Sequence, residues 1–260
     1  MTRKQLINEI FLKQSFLCIG LDTDISLIPK FLLDYPDPVF EFNKRIIDAT
    51  KDLCVAYKPN SAYYESRGIK GLQSLIDTWA YLPETCLRII DAKRGDIKSN
   101  SSMYAKAFFD QQASGMSFDA ITINPYMGHD TLEPFLAIDD KWVILLALTS
   151  NEGSKDFQFF CNEDGFLFES VVQSACTWAS PDRLMFVVGA TWEDAFLDIR
   201  KYAPDHFLLV PGVGGRVDNL KTICKHGLND DCGLLVSITR PILYASQEQN
   251  FAEIAREEAL

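Results

Sequence analysis

The residues best suited to chemistry lie in one short segment, Leu87–Ile97, which reads LRIIDAKRGDI. Asp91 and Lys93 are two residues apart, so in a β-strand both side chains point to the same face of the sheet. Gly95 allows a sharp turn, after which Asp96 supplies a second carboxylate a few residues on. The segment therefore predicts a carboxylate and an ammonium group side by side, with a further carboxylate nearby.

A second lysine, Lys58, ends an earlier apolar run. If the two runs form neighbouring strands, which lie about 4.8 Å apart, Lys58 can stand next to Asp91. The row would then alternate in charge, in the order Lys58, Asp91, Lys93 and Asp96. A structural ladder of ion pairs at the rim of a sheet is the simpler interpretation for any one pair. Four charged residues in register with a glycine turn favour chemistry, because charges at the ends of apolar strands are costly to desolvate.

Eight short apolar runs along the chain are predicted to be buried strands, and amphipathic stretches of helical length lie between them. The predicted strands are Ser15–Leu21, Leu53–Lys58, Leu87–Ala92, Asp119–Asn124, Trp142–Leu148, Met185–Gly189, Phe207–Pro211 and Leu234–Ile238. The predicted helices are Val39–Lys51, Gly71–Tyr81, Asn100–Ser114, Glu169–Ala179, Thr191–Tyr202 and Asn219–His226. This alternation predicts parallel strands joined by crossover helices. Eight such units favour one (β/α)8 TIM barrel, a single domain over residues 1–260.

In a barrel of this class the active site lies at the C-terminal ends of the strands. Two residues at such positions, Asp22 and Ser150, could either contact a ligand or stabilise their own loops. Asp22 is a ligand contact or a turn and helix-cap residue, and Ser150 is a ligand contact or a loop cap. After the seventh strand, the amides of a glycine-rich turn that includes Gly214 and Gly215 could bind an anion. Arg240 follows the eighth strand, and these two loops are the common phosphate site of such barrels.

The composition limits the class of protein. The chain has 260 residues, 47% hydrophobic and 23% charged, as in soluble globular proteins. It has no run of about 18 apolar residues that could span a bilayer and no secretory signal pattern. A net charge of −11 disfavours nucleic acid as a partner because the protein would repel its phosphates. Seven scattered cysteines and three scattered histidines predict reduced thiols, a cytoplasmic location and no metal site.

The segment DAKRGDI, residues 91–97, resembles the DxKxxDI signature of orotidine 5′-monophosphate decarboxylases, in the form of their longer bacterial subgroup (type 2). Further segments are similar to that subgroup, in the right order over nearly the whole chain: CIGLDTD, YKPNSAYYE, TINPYMGHD, TSNEGS, PGVGG and ITRPILYA. The resemblance implies a barrel enzyme that converts orotidine 5′-monophosphate into uridine 5′-monophosphate without a cofactor.

The resemblance also implies roles for the charged row. Lys93 matches the lysine that stabilises the carbanion at C6 of the pyrimidine and then protonates it. Flanking carboxylates would keep the pKa of this lysine high despite burial. Asp91 matches the carboxylate beside the departing CO₂, and Lys58 the lysine between Asp91 and a ribose hydroxyl. Asp96 matches a residue that the partner subunit supplies, which implies a homodimer with shared sites.

The implied ligand contacts are a ribose hydroxyl for Asp22, the pyrimidine edge for Ser150 and the phosphate for Gly214, Gly215 and Arg240. The family usually continues its PGxG segment with Ala-Gln-Gly-Gly-Asp, whose glutamine reaches the phosphate. This chain is one residue shorter there and has no glutamine. Arg216 either replaces that contact or faces solvent.

Two other functions stay open. One is a metal-dependent barrel enzyme on a sugar phosphate, such as a keto-gulonate phosphate decarboxylase or a hexulose phosphate synthase; activity with a chelator present would count against it. The other is a non-catalytic barrel that binds a nucleotide without turnover, against which an intact Lys93 argues.

Overall fold

Eight parallel strands close into a barrel in the computed structural model, which describes residues 1–163, 165–214 and 217–260, with no side chains for Val217 and Asp218. The strands are β1 (Leu17–Gly20), β2 (Ala56–Lys58), β3 (Leu87–Arg94), β4 (Ala120–Ile123), β5 (Trp142–Leu148), β6 (Leu184–Val188), β7 (Phe207–Pro211) and β8 (Leu234–Ile238). Each pairs with the next along the chain, and β8 pairs with β1. The predicted (β/α)8 fold class is confirmed. A two-residue hairpin, Cys161–Asn162 with Gly165–Phe166, lies outside the barrel.

The helices that the structure describes are α1 (Arg3–Lys13), α2 (Pro38–Thr50), α3 (Ser61–Glu65), α4 (Gly68–Tyr81), α5 (Lys98–Phe109), α6 (Gln111–Ser114), α7 (Glu133–Leu136), α8 (Leu167–Trp178), α9 (Ala195–Tyr202), α10 (Val217–Gly227), α11 (Arg240–Leu243) and α12 (Phe251–Ala259). Short 3₁₀ turns span Lys30–Asp34, His129–Thr131 and Glu152–Asp156. The prediction of one helix over Asn100–Ser114 is wrong. Asp110 separates α5 from α6, because its side chain accepts hydrogen bonds from the first amides of α6.

The lumen of the barrel has an apolar lower layer and a partly polar upper layer. Ala56 of β2 and Ala120 of β4 belong to the buried cluster of the lower layer. Two residues further along each strand, Lys58 and Thr122 line a cavity at the C-terminal end. Residues two apart on a barrel strand face the same side, so β2 and β4 both change from apolar to polar along their own length.

Helix α1 covers the N-terminal end of the barrel. Leu6 and Ile10, one helical turn apart, pack in the same buried cluster as the lower lumen. The ammonium group of Met1 lies 2.7 Å from Asp119, and the indole of Trp142 donates to the carbonyl of Met1 at 2.8 Å. The opposite end of the barrel stays open and carries the polar residues.

The last helix packs beside the first crossover helix. The rings of Phe42 on α2 and Phe251 on α12 stack with centroids 5.1 Å apart. Within the described ranges, no helix is both long and apolar enough to cross a membrane.

Candidate active site

A bulge in β3 places the two central charged residues. Ile90 pairs with Ile121 of β4, and the next β3 residue in the ladder is Arg94, which pairs with Ile123. Residues 91–93 therefore lie opposite a single residue of β4, and Lys93 adopts a left-handed conformation with φ 47°. Asp91 and Lys93 come together through this bulge, and not through the alternation of a regular strand.

Asp91 is the centre of the charged row. Its Oδ2 lies 2.9 Å from Lys58 Nζ, and its Oδ1 lies 2.6 Å from Lys93 Nζ. Burial alone would raise the pKa of Asp91, but the two ammonium groups outweigh burial and hold that pKa well below its usual range. Asp91 is therefore a fixed negative charge.

Lys58 is buried, whereas the Lys93 side chain is half exposed. Burial would lower the pKa of Lys58, but Asp91 and then Asp22 raise it above its ordinary value. Lys58 is thus a permanent cation in the wall of the lumen. The expected burial of Lys93 is not found in the single chain.

Asp22, just after β1, faces Lys58 from the other side. Its Oδ1 lies 3.7 Å from Lys58 Nζ, and among the described residues this buried oxygen has no hydrogen-bond partner. Burial raises the pKa of Asp22. The hydroxyl of Tyr244 donates to the carbonyl of Asp22 at 2.9 Å, which ties this loop to the segment after β8. An acceptor without a donor is suited to a ligand hydroxyl.

Asp96 does not join the row within its own chain. Its Oδ1 accepts the amide of Ile97 at 2.7 Å, and its Oδ2 accepts Asn100 Nδ2 at 3.0 Å. In the part of the chain that the structure describes, no ion pair links Asp96 to Lys93. The turn at Gly95 brings the loops after β3 and β4 close together, because a Cβ there would lie 2.9 Å from the Asn124 carbonyl oxygen.

The row forms one wall of a cavity of about 450 Å³ at the open end of the barrel, within the size range of small-molecule sites. Its other residues include Thr122, Leu146, Thr149, Ser150, Gln158, Val187, Leu209 and Pro211. The cavity is therefore lined by charged, polar and apolar side chains together.

Ser150 is held by the residues around Thr149. The Gln158 side chain accepts the Thr149 amide and donates to the Thr149 hydroxyl, both at 2.8 Å. The Trp192 indole donates to the Thr149 carbonyl at 2.9 Å. A Cβ on Gly189 would lie 2.6 Å from the Ser150 amide nitrogen, so the backbones approach closely here.

Sequence reasoning missed three residues of the site, namely Thr122, Gln158 and Trp192. Thr122 carries a signal, since it is the polar residue in the otherwise apolar strand β4. Gln158 contacts Thr149 within the segment after β5, and Trp192 reaches Thr149 from the loop after β6. The spacing of these residues in the sequence carries no signal of either contact.

The proposed phosphate side is described in part. Gly212 and Gly214 have φ values of 89° and 38° after β7, where side chains are disfavoured. The predictions for Gly215 and Arg216 lie outside the described residues. Arg240 is exposed at the start of α11.

The residue before Arg240 packs tightly against the end of β1. A Cβ on Gly20 would lie 2.0 Å from the hydroxyl oxygen of Thr239, so β1 and the residue before Arg240 touch.

Across residues 1–163, 165–214 and 217–260, no three His, Cys, Asp or Glu side chains come together in a way that could hold a metal ion.

This chain is similar to known orotidine 5′-phosphate decarboxylases in both sequence and structure. The model of the Orotidine 5′-phosphate decarboxylase / HUMPS family matches residues 15–254. An orotidine 5′-phosphate decarboxylase of Flavobacterium johnsoniae is 54% identical, over 100% of this chain and 95% of its own. One of Parabacteroides distasonis is also 54% identical, over 100% and 92%. The solved structure of Leishmania donovani OMP decarboxylase aligns with a TM-score of 0.83 and 34% identity, over 100% of this chain and 97% of its own.

Proposed function

The chain belongs to the Orotidine 5′-phosphate decarboxylase / HUMPS family, and from this membership we propose how its residues act. The function is the decarboxylation of orotidine 5′-monophosphate to uridine 5′-monophosphate, the final step of pyrimidine nucleotide biosynthesis, so the protein is a carboxy-lyase. The observation that carries the residue assignments is the row of Lys58, Asp91 and Lys93 along one wall of the cavity.

Lys93 is the proton donor. The bond between C6 and the carboxylate carbon breaks, CO₂ leaves as a neutral molecule, and the electron pair stays on C6. A proton then moves from Lys93 Nζ to C6, which completes the product and leaves a neutral amine. Because the Lys93 side chain is half exposed, the solvent can restore its proton after each turnover.

The fixed charges around Lys93 stabilise the transition state. Asp91 lies beside the carboxylate that leaves, where its negative charge disfavours the bound substrate anion more than neutral CO₂. The ammonium of Lys93 attracts the charge that develops on C6. Lys58 is held between Asp91 and Asp22, so the row needs little reorganisation during the reaction.

Remote contacts hold the nucleotide. Asp22 accepts a hydrogen bond from a ribose hydroxyl through its unpartnered Oδ1, and Ser150 contacts the edge of the pyrimidine. Arg240 and the amides of Gly214 and Gly215 bind the phosphate. Binding energy at the phosphate is remote from the bond that breaks and orients the base over Lys93.

The active form is a homodimer in which Asp96 completes the row of the partner subunit. The Asp96 carboxylate hydrogen-bonds Ile97 and Asn100 of its own chain, and apolar side chains after β3, on α5 and after β4 are exposed, namely Ile97, Met103 and Tyr126. Exposed apolar groups around an active-site rim favour a protein interface. We also propose a cytoplasmic location and one functional domain over residues 1–260.

The test is the ultraviolet absorbance of orotidine 5′-monophosphate mixed with the purified protein and a metal chelator. We expect the orotate absorbance to disappear with the wild type and to persist with Lys93→Ala. Lys201→Ala, at an exposed lysine of α9, is the matched control and should turn over normally. Binding of uridine 5′-monophosphate by Lys93→Ala shows that the site is still formed. Near-normal turnover by Lys93→Ala would contradict its role, and no turnover by the folded wild type would contradict the function.

A further inference from the structure

Thr122 lies opposite the bulge in β3 and is almost fully buried, with 1% of its surface exposed. The two ladder pairs that flank the bulge leave three residues of β3 facing this one residue of β4. Backbone amides in such a bulge lose their regular partners on the neighbouring strand. A side chain at the position of Thr122 can replace the missing partner.

The Thr122 hydroxyl makes two hydrogen bonds across this gap. It accepts the backbone amide of Lys93 at 2.9 Å and donates to Asp91 Oδ1 at 2.9 Å. The same carboxylate oxygen lies 2.6 Å from Lys93 Nζ. One hydroxyl therefore ties the backbone of Lys93 to the carboxylate that the Lys93 side chain contacts.

Lys93 needs such a restraint because its backbone is strained. A non-glycine residue with φ near 47° persists only where its surroundings hold it. Without the Thr122 hydroxyl, the partly buried amide of Lys93 would lack its acceptor, and a rotation of Lys93 would relieve both the strain and the missing hydrogen bond. That rotation would move the Lys93 ammonium away from its place beside Asp91.

We propose that Thr122 is a positioning residue for decarboxylation, which holds Lys93 in the strained conformation that aims its ammonium into the cavity. This inference rests on the proposed role of Lys93. Thr122 acts through Asp91 and Lys93, so its loss should affect the chemical step more than nucleotide binding. A displacement of a reacting group by about 1 Å can lower a rate by roughly 100-fold.

The test compares Thr122→Val, which keeps the shape and removes the hydroxyl, with Thr122→Ser, which keeps the hydroxyl. We expect Thr122→Val to lower kcat by about 10–100-fold while KM and the affinity for uridine 5′-monophosphate change less than about 3-fold. Thr122→Ser should keep kcat within about 3-fold of the wild type, because the hydroxyl still bridges the bulge. If Thr122 only stabilised the fold, its loss would not lower kcat while leaving KM nearly unchanged.

Thr50→Val is the matched control, since Thr50 is equally buried and its hydroxyl also makes two hydrogen bonds, with the Ile46 carbonyl and the Tyr57 hydroxyl, neither of which lines the cavity. It should leave kcat unchanged. If Thr122→Val does not fold, Thr122→Ala takes its place with the same expected result. Near-normal kcat in the variants without a hydroxyl, or an equal loss in Thr122→Ser, would overturn the inference. The two failures can be told apart: no turnover by the wild type would contradict the function, and turnover by Lys93→Ala would contradict the role of Lys93. Normal kcat in Thr122→Val beside an inactive Lys93→Ala would overturn the inference about Thr122 alone.

Discussion

Replacing Lys58 by methionine tests whether the charged row is a buried interaction. The change keeps the length of the side chain and removes the ammonium that lies 2.9 Å from Asp91 and 3.7 Å from Asp22. Because Lys58 is only 5% exposed, the variant removes a buried cation: Asp22 loses its ion pair, and Asp91 keeps only the one with Lys93. We expect the protein to lose stability as well as activity.

The expected loss is about 3–5 kcal/mol, the usual cost of removing one partner of a buried ion pair. For a chain of this size each kcal/mol lowers Tm by about 2–4 °C, so Tm should fall by roughly 6–20 °C. The assay is thermal and urea unfolding followed by circular dichroism. Lys201→Met is the control: Lys201 pairs with Asp198 on the surface, and its loss should leave the midpoint unchanged.

The loss of stability in Lys58→Met, relative to the wild type, should also depend on pH. In the wild type the pKa of Asp91 is lowered on folding, so the stability it contributes is fully present above its unfolded pKa, about 4. That contribution is lost only as pH falls through the depressed folded value, and it stays constant from pH 7 to 5. In the variant the pKa of Asp22, which burial already raises, no longer feels the opposing effect of Lys58 and rises further. A carboxyl whose pKa is raised on folding makes the folded state gain stability as pH falls.

We therefore expect the difference in stability between wild type and Lys58→Met to shrink from pH 7 to pH 5. A deficit as small as that of Lys201→Met would show that the ammonium contributes little to the folded state. A large deficit that stays constant with pH would place the loss in packing, and the electrostatic reasoning would be wrong.

Two further predictions concern the phosphate and the dimer. Arg240→Ala should weaken binding of uridine 5′-monophosphate by roughly 10–150-fold and leave uridine binding unchanged. This factor corresponds to about 1.5–3 kcal/mol, the contribution of a hydrogen bond to a charged group. Equal losses for both ligands in calorimetry would refute the phosphate assignment. Mixed dimers of inactive Lys93→Ala and Asp96→Ala chains should recover about a quarter of wild-type activity, because half the dimers are mixed and each has one intact site; co-expression without recovery would place Asp96 within its own chain.

The strands of the barrel could be predicted from the sequence because each is a short apolar run bounded by polar residues. Trp142–Leu148, Phe207–Pro211 and Leu234–Ile238 coincide with the predicted bounds. Helix α1 was not predicted, since Leu6 and Ile10 are its only buried side chains and most of its surface is polar. Its position depends on the end of a barrel that residues far along the chain must build first.

The members of the charged row could be predicted from residue types, but the way they meet could not. Spacing placed Asp91 and Lys93 on one face, whereas the structure reaches that arrangement through a bulge and a left-handed Lys93. The Lys93 amide in this bulge donates to Thr122, which is 29 residues away along the chain. Local patterns contain no such pairing. They also place Asp96 in the row without showing that its carboxylate hydrogen-bonds Ile97 and Asn100 instead.

The closure of the barrel by β1 and β8 has a consequence for synthesis of the chain. The second neighbour of β1, Leu234–Ile238, is made more than two hundred residues after β1 itself. Until then one edge of β1 and one edge of the newest strand both expose unpaired amides and carbonyls. The ring of Phe42 likewise lacks its stacking partner until Phe251 has been made. The nascent chain therefore passes through a long period with open strand edges, in which aggregation competes with folding.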